Sequence, residues 1–223
     1  MIKNCEKGRN QMGSLFEWDN PIIIFLSRVF DMAYLNVLCF VCCIPIITIG
    51  PSITAMYYCM LKISRDRDSS ITRMFFHSFK TNMKQGSLMT LIFLGLIIFF
   101  VADIVACSVI EINYLKYIKI ILFLMLTLLF MVISYAFPLL AQFENTIINT
   151  LKNALMIGIA NIISTCVIIV LNAIPIVLFL YVPGVFLLTL PAWIFGGLSV
   201  IAMINSKMFV KIFDKYINEK HEL

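Results

Sequence analysis

An all-helical protein that crosses a lipid bilayer several times is the fold class this sequence predicts, and three observations carry it. The first is composition. Of 223 residues, 61% are hydrophobic and 13% charged, with a mean hydropathy of +0.99; a soluble globular domain is about half apolar and about a quarter charged. So much apolar surface must face something other than water. The second is run length. Apolar stretches such as 88–102 and 118–134 approach the roughly 20 helical residues that cross a hydrocarbon core. The third is the way the runs begin. In "FFHSFKTNMKQGSLMTLIF", residues 75–93, the first half carries His77, Lys80 and Lys84 and the second half carries no charge. A membrane protein uses such a join where a chain leaves an interface and enters the bilayer.

The elements follow in order along one integral membrane domain, 1–223. Residues 1–20 are a polar lead without the apolar core of about 7–15 residues that a cleavable signal peptide needs, so the first span is expected to direct insertion. Asn20 is a helix N-cap with Pro21 at the first helical position. An apolar run from 22 to 61 follows, interrupted by Arg28, by Asp31 and by the "IPIITIGPS" break at 45–52. After the charged loop "KISRDRDSS", runs at 88–107, 118–137, 156–181 and 185–204 precede the polar tail, 205–223. The last two runs are joined by "YVPGVF", a tight hairpin turn. This gives five transmembrane helices, six if 51–61 returns across the bilayer as a short or re-entrant helix.

Lysine and arginine counts set orientation. Segment 62–86 holds Lys62, Arg65, Arg67, Arg73, Lys80 and Lys84, and the tail holds Lys207, Lys211, Lys215 and Lys220; the 172–184 connection holds neither residue type. Both basic clusters, and with them the C-terminus, are expected in the cytoplasm. The side of the N-terminus depends on span count: Lys3, Lys7 and Arg9 favour six spans, whereas the brevity of 33–61 favours five.

In 71–86, Arg73, His77, Lys80 and Lys84 are spaced four, three and four, so they share one helical face; Ile71, Phe75, Phe76, Phe79 and Met83 form the other. This is an amphipathic helix for the cytoplasmic interface, its basic face toward anionic headgroups, after which the chain turns at Gly86 into the bilayer. The basic face serves either as a topological anchor or as a partner-docking surface. Shifted by 72 residues, Lys80 and Gly86 fall on Lys152 and Gly158. That suggests two repeated units of interfacial helix, span and span, formed by 71–107 with 118–137 and by 143–204.

Residues able to carry chemistry are few. His77 and His221 are the chain's histidines, so H-E-x-x-H zinc motifs are excluded, and neither a Walker P-loop nor G-x-S-x-G occurs. No catalysis, cofactor, metal or nucleic-acid partner is expected. The seven cysteines lie mostly in apolar runs, and Cys39–Cys42 within "CFVCC" lacks a redox context, so they read as small hydrophobes. Intramembrane charge is costly and marks candidate polar sites. Arg28 and Asp31, three apart, are placed to neutralise each other. Asp103 stands alone in "IIFFVADIVACSVI", either reaching the outer interface or coupling to a proton or cation. Glu144 reads as interfacial. Ala192 and Gly196, in "AWIFG", have the small-xxx-small spacing of close helix packing.

The pieces Asn20-Pro21, Asp31 followed by Asn36, "IPIITIGPSITAMYY", "FFHSFKTNMKQ" and "YAFPLLAQFENTIINTLKNAL" together resemble the YesL-like integral membrane proteins of Gram-positive bacteria. Gln142 stands where that family usually has a basic residue. The family has a membrane domain of unknown function, and its members tend to sit beside carbohydrate-importing ABC transporters and their sugar-responsive regulators. The resemblance therefore implies a non-catalytic accessory of sugar uptake in the plasma membrane, partnered by an ABC permease or a sensor kinase. The competing expectation is a small oligomeric transporter or channel whose path includes Asp103 or the Arg28–Asp31 pair.

Overall fold

The computed structural model describes residues 21–65, 70–109 and 115–221. The Asn20 cap, the polar lead and parts of the 62–70 and 108–119 connections lie outside these. Helix α1 is Pro21–Cys42, followed by a 3-10 turn at Ile46–Thr48 and α2 at Ile49–Ser64. The rest are α3 Ile71–Thr81, α4 Met83–Val109, α5 Leu115–Gln142, α6 Ile147–Ala160, α7 Ile162–Tyr181 and α8 Pro183–Ala192. A π-helical turn at Trp193–Gly197 then leads into α9, Leu198–His221. No strand occurs among the described residues. Six stretches among them are long and apolar enough to cross a membrane: Phe25–Cys42, Ile46–Ser64, Met83–Val109, Lys116–Gln142, Ile162–Tyr181 and Pro183–Ile217.

The second stretch, 46–64, differs from the others. Of its residues 56% are buried inside the protein, against 11% for Ile162–Tyr181. Helix α2 is wrapped by α1, α3, α4, α5 and α9. Its first turn meets Gly86, Thr90 and Phe137. The residue after its last turn, Arg65, donates to Gln142 Oε1 at 3.1 Å. Both ends thus meet the last two turns of α5, although sixteen helical residues extend about 24 Å. Helix α2 is an enclosed helix filling the interior, and none of its residues is exposed. Glycine makes the approach feasible: a Cβ at Gly86 would lie 2.9 Å from the Pro51 nitrogen.

The core is confined to one end of the molecule. In α4 the buried residues are Gly86, Met89, Thr90 and Phe93, all in its first half; in α5 they cluster at Ser134–Ala141. Tyr57 and Tyr135 meet Phe209 edge-on at 5.9 and 5.2 Å, and Phe209 stacks on Phe213 at 5.4 Å. At the opposite end the helices are bare, with Val109 77% and Leu188 82% exposed.

Several sequence expectations change. The chain turns at Asn82, not at Gly86, which is a packing contact inside α4. Asn82 caps α3 by bonding the Ser78 carbonyl through both its backbone N–H (2.9 Å) and its Nδ2 (3.0 Å). Asn161 does the same to the Ile157 carbonyl (3.1 and 3.0 Å), dividing the 156–181 run into α6 and α7. The 72-residue register therefore fails: Gly86 follows its joint by four residues, whereas Gly158 precedes its own by three. Matching joint to joint pairs Gly86 with Thr165 and Met89 with Ile168, all buried. The aromatic face of α3 is also divided. Phe75 is fully buried in the protein and stacks on Phe79, while Phe76 is exposed. At "YVPGVF", Val182 alone separates α7 from α8. Phe179 meets Phe186 at 5.3 Å near this turn, and Asn172 meets Asn205 farther along, the register of an antiparallel pair.

Candidate functional site

Three asparagines inside apolar helices organise the interior. An amide in hydrocarbon needs a partner, and backbone groups freed by an irregular helix supply one. Asn36, fully buried on α1, sits against the π turn. Its Nδ2 donates to the carbonyls of Trp193 (2.7 Å) and Ile194 (2.6 Å), and its Oδ1 accepts from the backbone N–H (3.0 Å) and hydroxyl (3.1 Å) of Ser199. In a regular α-helix those carbonyls would take the N–H groups of residues 197 and 198, and the Ser199 N–H would reach residue 195. One side chain replaces part of the interrupted ladder. Gly197 leaves room for the Trp193 ring, which a Cβ would strike, and the indole N–H donates to Thr189 Oγ1 at 3.2 Å.

The other two form a chain across four helices. Ser134 Oγ donates to the Phe130 carbonyl (2.9 Å) and accepts from Asn172 Nδ2 (3.2 Å). Asn172 Oδ1 accepts from Asn205 Nδ2 (2.9 Å), which also donates to the Tyr57 hydroxyl (3.2 Å). Ser134, Asn172 and Tyr57 line a cavity of about 190 Å³ whose other walls include Phe130, Phe137 and Pro175. Asn205 Oδ1, Thr54 Oγ1 and Ser206 Oγ are buried with no hydrogen-bond partner among the described residues. This arrangement can orient a small neutral hydrogen-bonding molecule or water; no carboxylate, amine or imidazole lines it.

The second concave feature, of about 890 Å³, opens at the end that carries the core. Arg73, His77 and Lys80 line it from α3 and Lys62 from the last turn of α2, its Nζ 4.5 Å from the Tyr58 ring centroid. Beside this groove, Arg65 bridges to Asp214 at 2.6 Å and ties α2 to α9.

The sequence-predicted residues are thus divided. Arg73, His77 and Lys80 come together, joined by Lys62; Lys84, exposed on the first turn of α4, is not among the residues lining the groove. Arg28 and Asp31 are partly buried on α1 and both are engaged with other groups. Asp103 is partly buried in the bare half of α4, and none of these three lines the intramembrane cavity. Ala192 is exposed, and a Cβ at Gly196 would meet no atom within 4 Å, so the close approaches in this chain lie instead at Gly50 and Gly86. Every described cysteine is free. Among the described residues no cluster of histidine, cysteine, aspartate and glutamate is arranged to hold a metal. Asn172, Asn205 and Lys62 were missed as site residues. The signal for the first two was the presence of lone amides in otherwise apolar helices.

Fold and site together define a polytopic helical membrane protein. Residues 32–104, about a third of the chain, match the family model DUF624, described as a protein of unknown function. No curated protein and no solved structure matches the chain.

Proposed function

We propose that this chain is a YesL-like, non-catalytic accessory or scaffold protein of carbohydrate uptake in a bacterial plasma membrane, packing through its spans against an ABC sugar permease or a sensor kinase. The observation that carries the packing role is the set of vacant glycines on the bare half of the bundle. A Cβ at Gly95, Gly184 or Gly196 would meet no atom within 4 Å. Glycine within a helix costs about 0.5–1 kcal/mol against alanine, and in membranes its use is to let a second helix approach closely. Gly95, midway along α4, and Gly196, beside exposed Ala192, are placed for such an approach by spans from another protein. The link to carbohydrate uptake rests on the resemblance of the chain's first third and of 135–155 to the YesL-like family. The core end is assigned to the cytoplasm because Lys62, Arg73, Lys80 and the lysines of α9 gather there.

Affinity purification of a tagged copy from native membranes in mild detergent tests this reading. Recovery of a permease or sensor kinase with the wild type, lost in Gly95→Leu or Gly196→Leu, would support it. At both positions a Cβ meets no atom of the described residues within 4 Å. Recovery of the chain alone, or as its own oligomer, would sink it. A second reading, a small oligomeric transporter, draws on the 190 Å³ cavity beside Pro175, since interrupted helices often mark transport sites. Asn172→Leu that leaves every locus-dependent sugar uptake unchanged would refute that alternative.

A further inference from the structure

The groove between α2 and α3 gathers positive charge that is paired with no carboxylate among the described residues. Arg73, His77 and Lys80 recur four and three residues apart on one helix face, which places two cations and an imidazole side by side. Lys62 closes the groove from a second helix, its ammonium held against the Tyr58 ring. Among the described residues none of the four makes a salt bridge. Glu144 lines the adjoining cavity of about 160 Å³, with Tyr58 and His77 as the wall common to both, and is not among the residues lining the groove. A topological marker needs no concavity, no second helix and no hydroxyls. This groove has all three, for Ser70 and Thr72 line it as well.

We propose that the groove binds a phosphate group. Arg73 supplies the planar fork that suits phosphate oxygens, Lys62 and Lys80 supply flanking point charges, and the Ser70 hydroxyl a neutral donor. Phe76, 38% exposed, adds an apolar wall beside the charges. The volume falls in the range of about 300–1,000 Å³ that small-molecule sites occupy. The phosphate comes either from the headgroup of an anionic phospholipid or from a soluble phosphate ester. The site does not depend on the partner proposed above.

The test uses the full chain, purified in non-ionic detergent and exchanged with phosphatidylglycerol or phosphatidylcholine, with bound lipid counted by native mass spectrometry. Glycerol 3-phosphate is added as a tail-free competitor. The wild type should retain phosphatidylglycerol in preference to phosphatidylcholine, or bind glycerol 3-phosphate directly. Each cation near the surface contributes about fivefold, so Lys62→Gln/Arg73→Gln/Lys80→Gln should bind roughly a hundredfold more weakly. Lys80→Gln alone, at an exposed position, should lose about fivefold and guards against misfolding of the triple variant. Displacement by glycerol 3-phosphate identifies the soluble ester as the source; lipid retained against it identifies the headgroup. Lys116→Gln/Lys119→Gln, at the opposite end of α5, should bind as the wild type does. Equal binding by wild type and triple variant, or equal loss in the control, would overturn the proposal.

Discussion

Replacing Gly50 with alanine tests the enclosed position of α2 directly. A Cβ at this position would press into Thr90 Oγ1, the Gly86 carbonyl oxygen and the Phe137 ring, the last at 2.8 Å. The Gly86 oxygen is backbone and cannot rotate away, and Thr90 is held in turn because its hydroxyl donates to that same carbonyl at 2.8 Å. Inserting one methyl group into a packed interior costs about 1–3 kcal/mol, and the upper end applies when backbone is struck. Alanine returns about 0.5–1 kcal/mol through its better helix propensity, leaving a net loss of about 2 kcal/mol. For a chain of this size that lowers the midpoint by roughly 4–8 °C. Gly95→Ala makes the matched control. Its Cβ meets nothing within 4 Å, so the propensity gain stands alone and the midpoint should rise by a few degrees. Thermal unfolding in one detergent, followed by helical circular dichroism, compares the two. If Gly50→Ala melted together with Gly95→Ala, α2 would not lie against α4 and α5 as described, and the one-ended core would lose its central helix.

Asn36→Leu removes four hydrogen bonds, two to the π turn and two to Ser199, each worth about 0.6 kcal/mol in membranes, and should lower the same midpoint by roughly 5–10 °C. A variant melting with the wild type would refute the role assigned to the amide. Asn205→Leu should cost less, because Asn205 already carries one unpartnered oxygen and gives up two bonds; a loss exceeding that of Asn36→Leu would contradict this ordering. The Arg65–Asp214 bridge has side chains 20% and 49% exposed, so solvent screening leaves it at most about 1 kcal/mol. A double-mutant cycle with Arg65→Gln and Asp214→Asn should give a coupling of that size that shrinks as salt is added, and a salt-independent coupling would count against it.

How legible was this fold? Charge-free runs of bilayer length and the "YVPGVF" turn were readable because hydrocarbon thickness and chain reach constrain them locally. The role of 46–64 was not. A short apolar helix enclosed by five neighbours and one exposed to lipid have the same composition, and the difference lies in partners such as Phe137 and Gln142, far along the chain. A charge in lipid is costly, so ionised side chains are what the sequence marks first. Yet Arg28, Asp31 and Asp103 stand apart from the cavity, and the interior is organised by neutral amides. Asn36 finds its acceptors 157 and 158 residues away, a separation no local pattern reveals. The basic groove was half legible. Spacing on α3 gave Arg73, His77 and Lys80, but Lys62 joins them through the packing of α2 on α3.

The irregularities of the helices and the positions of the amides form a single feature. Pro138 lies inside α5 and has no N–H to give the Ser134 carbonyl, four residues earlier. Pro175 in α7 likewise frees the carbonyl of Leu171, next to Asn172. The cavity lies beside both breaks, lined by Ser134, Asn172 and Pro175. The π turn is the third interruption, and Asn36 occupies it. In lipid an interrupted ladder persists where protein groups meet the freed polarity; Asn36 meets it directly at the π turn, while Asn172 bonds side chains beside the two proline breaks. Asn172 and Asn205 tie α7 to α9, Tyr57 ties both to α2, and Asn36 ties α9 to α1. These contacts join α1, α2, α5, α7 and α9 into one body. Helix α4 enters it through Gly86 and Thr90, and beyond Phe93 none of its residues is buried. The half of α4 from 94 to 109, which carries both Gly95 and Asp103, is therefore held by this chain only through partly buried side chains such as Ile97 and Phe100, and is a place for a partner helix to make a difference.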